Sequence, residues 1–349
     1  MKIKNTTFFF LSIIFLFFSS PSKAQKFSDP VAYLTYLDNE YNSIVSGLWQ
    51  YTSTMAHSKS AKKVEKKRTE LINIVASSKN KVSKLEPYKD DAALRDSVYS
   101  FLSICYDVLN EDYSKIVDME AIAEQSYDLM EAYLLAQEKA SEKLDVAGQR
   151  MSEEQKNFAK KFDINLVDGG SNKISKNLAI ANEVMDYYNK LYLIFFKSYK
   201  QEAYLLDAIA KNDVNGIEQN KASLIKFSKE GLDAFIAAGA FKNDNSLAVS
   251  GQNMLEFYQD ETTNQVPGIV NFVMVNEKFV KIKAAFEAIK EKDRTQTDVD
   301  TYNNAINEVN QAGKEYNAVN AKMNEKRTKL LNNWNSAVQS FLDKHIPKG

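Results

Sequence analysis

Tyr302, Ile306, Val309, Ala312, Tyr316, Val319, Met323, Leu330, Trp334, Val338 and Phe341 step mostly by three and four residues. The run is broken by one seven-residue gap at the charged Arg327, and it meets no proline before Pro347. This is the apolar stripe of one helix. At 1.5 Å per residue, about 45 residues make a rod of roughly 65–70 Å. A helix of that length is not held by propensity and needs partner helices along it. The rest of the chain supplies them. Only 11 Gly and 5 Pro punctuate 349 residues, too few for the closely spaced turns of a β sandwich or barrel. The expected fold is all-α, built of long antiparallel helices.

Helical periodicity predicts segments at 30–56, 59–85, 91–110, 115–160, 174–211, 217–239, 245–263, 267–291 and 297–345. Asp29-Pro30 opens the first, with Asp as cap and Pro at the first helical position. The clearest break is Val167-Asp168-Gly169-Gly170-Ser171-Asn172, a cluster of turn formers. Val270 to Val275 is the best strand candidate but follows Pro267-Gly268 like a helix start. Leu191 to Phe196 is apolar on every side, which places that helix centrally.

Residues 1–24 read as a signal peptide. Lys2 and Lys4 form the basic start and Phe8 to Phe18 the apolar core. Ser22-Lys23-Ala24 follows, with small residues at the cleavage positions. The core is too short to span a bilayer, which takes about 20 apolar residues. No Cys follows it, so a lipoprotein anchor is not expected. The expected location is the periplasm or the outer surface. Removing the three lysines of the signal leaves a small acidic excess, which predicts no nucleic-acid partner. No later stretch is long and apolar enough to be an integral membrane segment.

An offset of 153 residues aligns 70–117 with 223–270 without a gap, with ten of 48 positions identical. Tyr88-Lys89-Asp90-Asp91 falls on Phe241-Lys242-Asn243-Asp244. Leu94, Ser97 and Leu102 fall on Leu247, Ser250 and Leu255. The repeated Lys-x-Asp-x-x-Leu reads best as a structural helix start. Asp91 and Asp244 are expected as N-caps that accept orphan amides, with Leu94 and Leu247 on the buried face. The mature chain then divides into helical units of 25–168 and 171–349, each with about four helices. Tandem helical units place any cleft at their seam.

A signal peptide without a lipobox, an all-helical mature chain and a duplicated Tyr-Lys-x-Asp-x-x-Leu-x-x-Ser helix start resemble an uncharacterised family of exported bacterial surface proteins. The resemblance implies the location and the helical fold. It carries no activity and no site residues.

Parts for chemistry are few. His57 and His345 are the only histidines and Cys105 the only cysteine. Neither His has the carboxylate or His neighbours at helical spacing that a metal face needs, and no Gly-rich phosphate loop or nucleophile elbow occurs. No catalytic, cofactor or metal residue is assigned. Cys105 lies mid-face in the stripe Leu94, Val98, Phe101, Leu102, Cys105, Val108 and reads as a small buried hydrophobe. Tyr187, Tyr188, Tyr192, Phe195, Tyr199 and Tyr204 read as core.

Charge is uneven. Lys62, Lys63, Lys66 and Lys67 lie in a basic run, and residues 107–131 are acidic. The two runs are expected to face each other on neighbouring helices. The sharper reading makes the four lysines a contact for an anionic envelope polymer or lipid head group. The leading functional expectation is a non-enzymatic envelope or surface protein, acting as scaffold, adhesin or partner-binding module toward an unknown envelope protein or glycan. The alternative is a periplasmic small-ligand or glycan-binding protein with a pocket at the seam.

Overall fold

The computed structural model describes residues 26–58, 60–113, 115, 119, 122–166 and 173–348. The segment expected to be a signal peptide and the break expected at Gly169-Gly170 lie outside the described residues. Among those described there is no strand. Among the described residues nine α-helices carry the fold: α1 Pro30–His57, α2 Ala61–Ser83, α3 Ala93–Asp107, α4 Tyr127–Lys161, α5 Lys173–Ala210, α6 Val214–Ala238, α7 Ser246–Asp260, α8 Val266–Ala288 and α9 Gln296–His345. Val270–Val275, the one strand candidate, lies inside α8.

The helices begin where side chains satisfy their first amides. The Asp29 carboxylate accepts from the Val31 and Ala32 amides, with Pro30 first in the helix. Ser60 starts α2 after an extended Ser58 ends α1, so the first two segments are separate helices. Thr295 and Asp298 form a reciprocal capping box at α9.

The expected helix over 115–160 is interrupted. Glu124 and Gln125 are in a turn, and Ser126 caps α4 by accepting from the Leu129 amide at 3.2 Å. A capping serine stops the helix here without the Gly or Pro that usually marks such a break.

Asp91 and Asp244 sit one position earlier than N-caps. The helices they precede start at Ala93 and Ser246, with Ala92 and Asn245 as caps. Each aspartate still accepts the first helical amide, from Ala93 at 3.0 Å and from Ser246 at 2.9 Å. The preceding turns are closed by paired backbone bonds, Tyr88 with Asp91 and Phe241 with Asp244. Lys89 and Asp90 (φ 46° and 67°) and Lys242 and Asn243 (φ 47° and 68°) adopt left-handed backbone there. Both α3 and α7 run into a five-residue π-helical segment, Val108–Asp112 and Glu261–Gln265.

Two cores form. Tyr33, Leu37, Leu71, Val75, Leu94, Leu102 and Phe158 centre the first, between α1, α2, α3 and α4. Leu191, Phe195, Phe196, Phe235, Leu255, Trp334 and Phe341 centre the second, between α5, α6, α7 and α9. Each such side chain, fully buried, contributes about 1.5–3 kcal/mol. Trp49 and Ala56 of α1 and Met130 of α4 belong to the second core, so α1 and α4 contribute to both.

The 50 residues of α9 extend about 75 Å. It is covered along its length, by Phe286 on Tyr302 (4.4 Å), Phe272 on Tyr316 (4.7 Å), Phe195 on Trp334 (4.6 Å) and Phe241 on Phe341 (5.4 Å).

Candidate functional site

A large concavity opens between the helices of the first core and α5. It is a cleft of about 1920 Å³ between α1, α2 and α3 on one side and α4 and α5 on the other. Ile44, Leu48, Tyr51 and Met55 come from α1, Arg68 from α2, and Phe101 and Cys105 from α3. Leu134, Leu144 and Gly148 come from α4, and Leu178, Met185 and Leu193 from α5.

The charges in it are segregated. Arg68 is engaged, by Glu65 at 2.9 Å and by the Leu109 carbonyl at 2.8 Å. Glu131, Glu138, Asp145 and Asp186 line the other side and form no ion pair among the described residues. Burial raises the Asp186 carboxyl above the usual range, and the nearby Glu138 and Asp145 charges add to it. Tyr51 is only 7% exposed, yet nothing among the described residues bonds its hydroxyl. Burial raises it, with Tyr113 next in effect. Cys105 is buried as expected, and burial pushes its thiol up to about 12, far from a reactive thiolate.

A second polar cluster is closed from solvent. Arg327 fills the apparent gap in the α9 stripe, paired with Glu202 of α5 and Glu261 of the second π segment. All three are buried. The lower half-turn of this cluster also holds Asn324, which accepts from Arg327. Burial raises both carboxyls, Glu261 to about 8, where the neighbouring Glu202 charge adds and Arg327 opposes. The Tyr258 hydroxyl lies beside Glu202 without a hydrogen bond of normal length, and the second Glu261 oxygen is also unpartnered.

Sequence reading missed both groups, although the signals were present. Arg327 stands four residues after Met323, in register with the buried stripe. Glu202 follows Leu191, Phe195 and Ser198 in steps of 4, 3 and 4, all of them buried.

The lysine strip is divided. Lys66 and Lys67 pair with Glu70 of their own helix, and Lys67 also donates to Gln50. Lys62 lines the cleft and Lys63 is exposed; neither forms an ion pair among the described residues. The expected pairing of this run with the acidic run at 107–131 is not seen among the described residues. Asp112 instead binds Lys143 of α4. On a helix surface, partners three and four residues away are closer than those on the next helix.

The repeated helix starts are structural in their contacts. Leu94 and Leu247 are buried at 2% and 0% exposure. Lys89 lies over the Tyr88 ring and Lys242 over Phe241. Asp91 binds Lys161, and Asp244 binds Lys344 and His345. These charges hold the Asp244 carboxyl well below its ordinary range, Lys344 foremost. His57 contacts Asp343 at 2.8 Å and the Pro347 carbonyl at 3.3 Å, tying α1 to the end of α9. No described helix is long and apolar enough to cross a membrane, and no described group of His, Cys, Asp or Glu has a metal-binding arrangement.

Comparison with protein-family models, with curated proteins and with solved structures found no match to this chain.

Proposed function

We propose that this chain is an exported, non-enzymatic binding module that holds a segment of a partner in the cleft between α1, α2 and α3 on one side and α4 and α5 on the other. The observation that carries the reading is the size and lining of the cleft. Small-molecule sites enclose about 300–1,000 Å³, and this one, at about 1920 Å³, is on the scale of a chain segment. Its walls alternate aliphatic and aromatic residues with unpaired carboxylates, which suits a partner surface of mixed polarity. Both histidines are engaged in structural contacts outside the cleft, which favours binding over catalysis. Export rests on Lys2, Lys4, the apolar core Phe8 to Phe18 and Ser22-Lys23-Ala24.

The two halves are further proposed to be copies of one ancestral unit. The offset of 153 that aligns their sequences also relates α3 (Ala93–Asp107) to α7 (Ser246–Asp260). It relates the two π segments and the two left-handed turns as well. A binding cleft at the seam of such copies is the arrangement expected of tandem helical units.

The test places a photo-crosslinking residue at Leu178 in the cleft, and at Ile236 outside it, in the cells that make the protein. A partner identified from the Leu178 adduct and then purified should bind the protein saturably and lose binding to Leu178→Arg. Equal labelling from both positions, or no effect of Leu178→Arg, would sink the reading.

A further inference from the structure

Glu131, Glu138 and Asp145 of α4 are seven residues apart in sequence, and all three line the cleft. Seven residues bring a helix back to the same face with a drift of about 20°. The three carboxylates therefore form a ladder whose rungs are about 10.5 Å apart. Their neighbours leave them unneutralised. Lys139 is turned to Glu142 and Lys143 to Asp112. Glu131 accepts only from the Tyr127 hydroxyl. On the facing helix Asp186 adds a fourth carboxylate, raised by burial and by Glu138 and Asp145. Against these four, Lys62 and Lys190 are the cleft's free cations among the described residues, since Arg68 is taken by Glu65.

Between the rungs the wall is mixed: Leu134 and Leu144 on α4 share it with Gln137 and Ser141, and Leu48, Leu178 and Leu193 line it from the neighbouring helices. Tyr51, more than nine-tenths buried as a residue, adds an aromatic face to the same cleft.

We propose that the cleft's occupant is a basic amphipathic helix of the partner, which sets Lys or Arg side chains at seven-residue spacing against Glu131, Glu138 and Asp145 and its apolar stripe against the leucines. This rests on the cleft reading above and adds the chemistry of the partner. The dimensions agree. A helix about 10 Å across has a section of about 80 Å², so a cleft of about 1920 Å³ takes roughly 24 Å of it. The ladder from Glu131 to Asp145 spans about 21 Å. Charges at that spacing beside an apolar stripe are how paired helices choose register and orientation, and an unpaired acidic wall speeds the encounter with a basic partner.

The test uses a fluorescein-labelled 18-residue helical peptide with a leucine stripe and lysines seven apart. A peptide of the same composition with the lysines moved out of register, and one with Glu in place of Lys, serve as controls. Anisotropy is read with the chain from residue 25 onward, its fold checked by circular dichroism. The in-register peptide should bind saturably, at least tenfold tighter than the displaced one. Glu131→Gln/Glu138→Gln/Asp145→Asn should weaken it at least tenfold. Glu131→Lys/Glu138→Lys/Asp145→Lys should transfer preference to the Glu peptide. Equal binding of the in-register and displaced peptides, indifference to the triple variant, or saturable binding of a neutral oligosaccharide in place of the peptide would overturn the proposal. The cross-linked partner separates the two levels of inference. If it is sensitive to Leu178→Arg but not to the triple variant, the ladder falls and the cleft stands. Sensitivity to neither removes both.

Discussion

At the scale of single residues, Arg327, Glu202 and Glu261 form a buried charged cluster that is costly to disturb. Two carboxylates share one guanidinium inside the second core. Removing the cation leaves buried charge uncompensated, which costs about 3–5 kcal/mol. Arg327→Met should lower the free energy of urea unfolding by that order; a loss under about 1 kcal/mol would show that the pair is solvated. The cluster also sets a pH dependence. Its carboxyls hold a proton more tightly than the unfolded chain, which releases one near the ordinary value of about 4.3. The stability from that proton is complete below the unfolded value and is lost as pH rises toward about 8, the folded value for Glu261. Urea midpoints should therefore fall between pH 5 and 8, and Glu261→Gln should flatten the slope. An equal slope in both proteins would count against the assignment. These residues were visible in the sequence only as a gap in a stripe. A charge in a buried register announces itself by position alone, and nothing along one helix tells which distant carboxylates meet it.

Between elements, glycines let α6 and α7 approach closely. A methyl on Gly251 would run into the Phe235 ring, and one on Gly231 into Leu255. Overpacking of a closed core costs about 1–3 kcal/mol. Gly251→Ala should thus lower the melting temperature by several degrees, whereas Gly268→Ala, whose added methyl meets nothing within 4 Å, should leave it within about a degree of wild type. Similar shifts in the two variants would refute the packing account. Most helices were legible in the sequence, because scarce Gly and Pro and sustained 3.6-residue periodicity leave little choice. The stop before α4 was not, since Ser126 ends one amphipathic pattern while another begins directly. Nor were the turns at Lys89-Asp90 and Lys242-Asn243. The motif pointed to helix starts, but the left-handed backbone that shifts each aspartate one residue upstream is a property of geometry.

For the molecule as a whole, the cleft is a product of helix packing and not of any one segment. The cleft could not be read beforehand, because its walls come from five helices, α1 to α5, and only their packing brings them around one space. The same packing makes the end of α9 a closure for several distant parts. Phe341 and Ile346 are buried in the second core, at 1% exposure each. Lys344 and His345 hold Asp244, and Asp343 and the Pro347 carbonyl hold His57. A chain stopped after Ser340 should exchange amide hydrogens in α6 and α7 at least tenfold faster than wild type, with smaller changes in α2 and α3. Uniform exchange across both halves would show that the two cores open together. The order of synthesis gives this closure a further meaning. A polypeptide grows from its first residue, and here the second core has no lid until residue 346 has been added. Until then Asp244 and His57 await partners not yet made. The second core thus stays open until the last turn of α9 has been made, and that turn then sets contacts to α1, α5 and the turn at Asp244 at once.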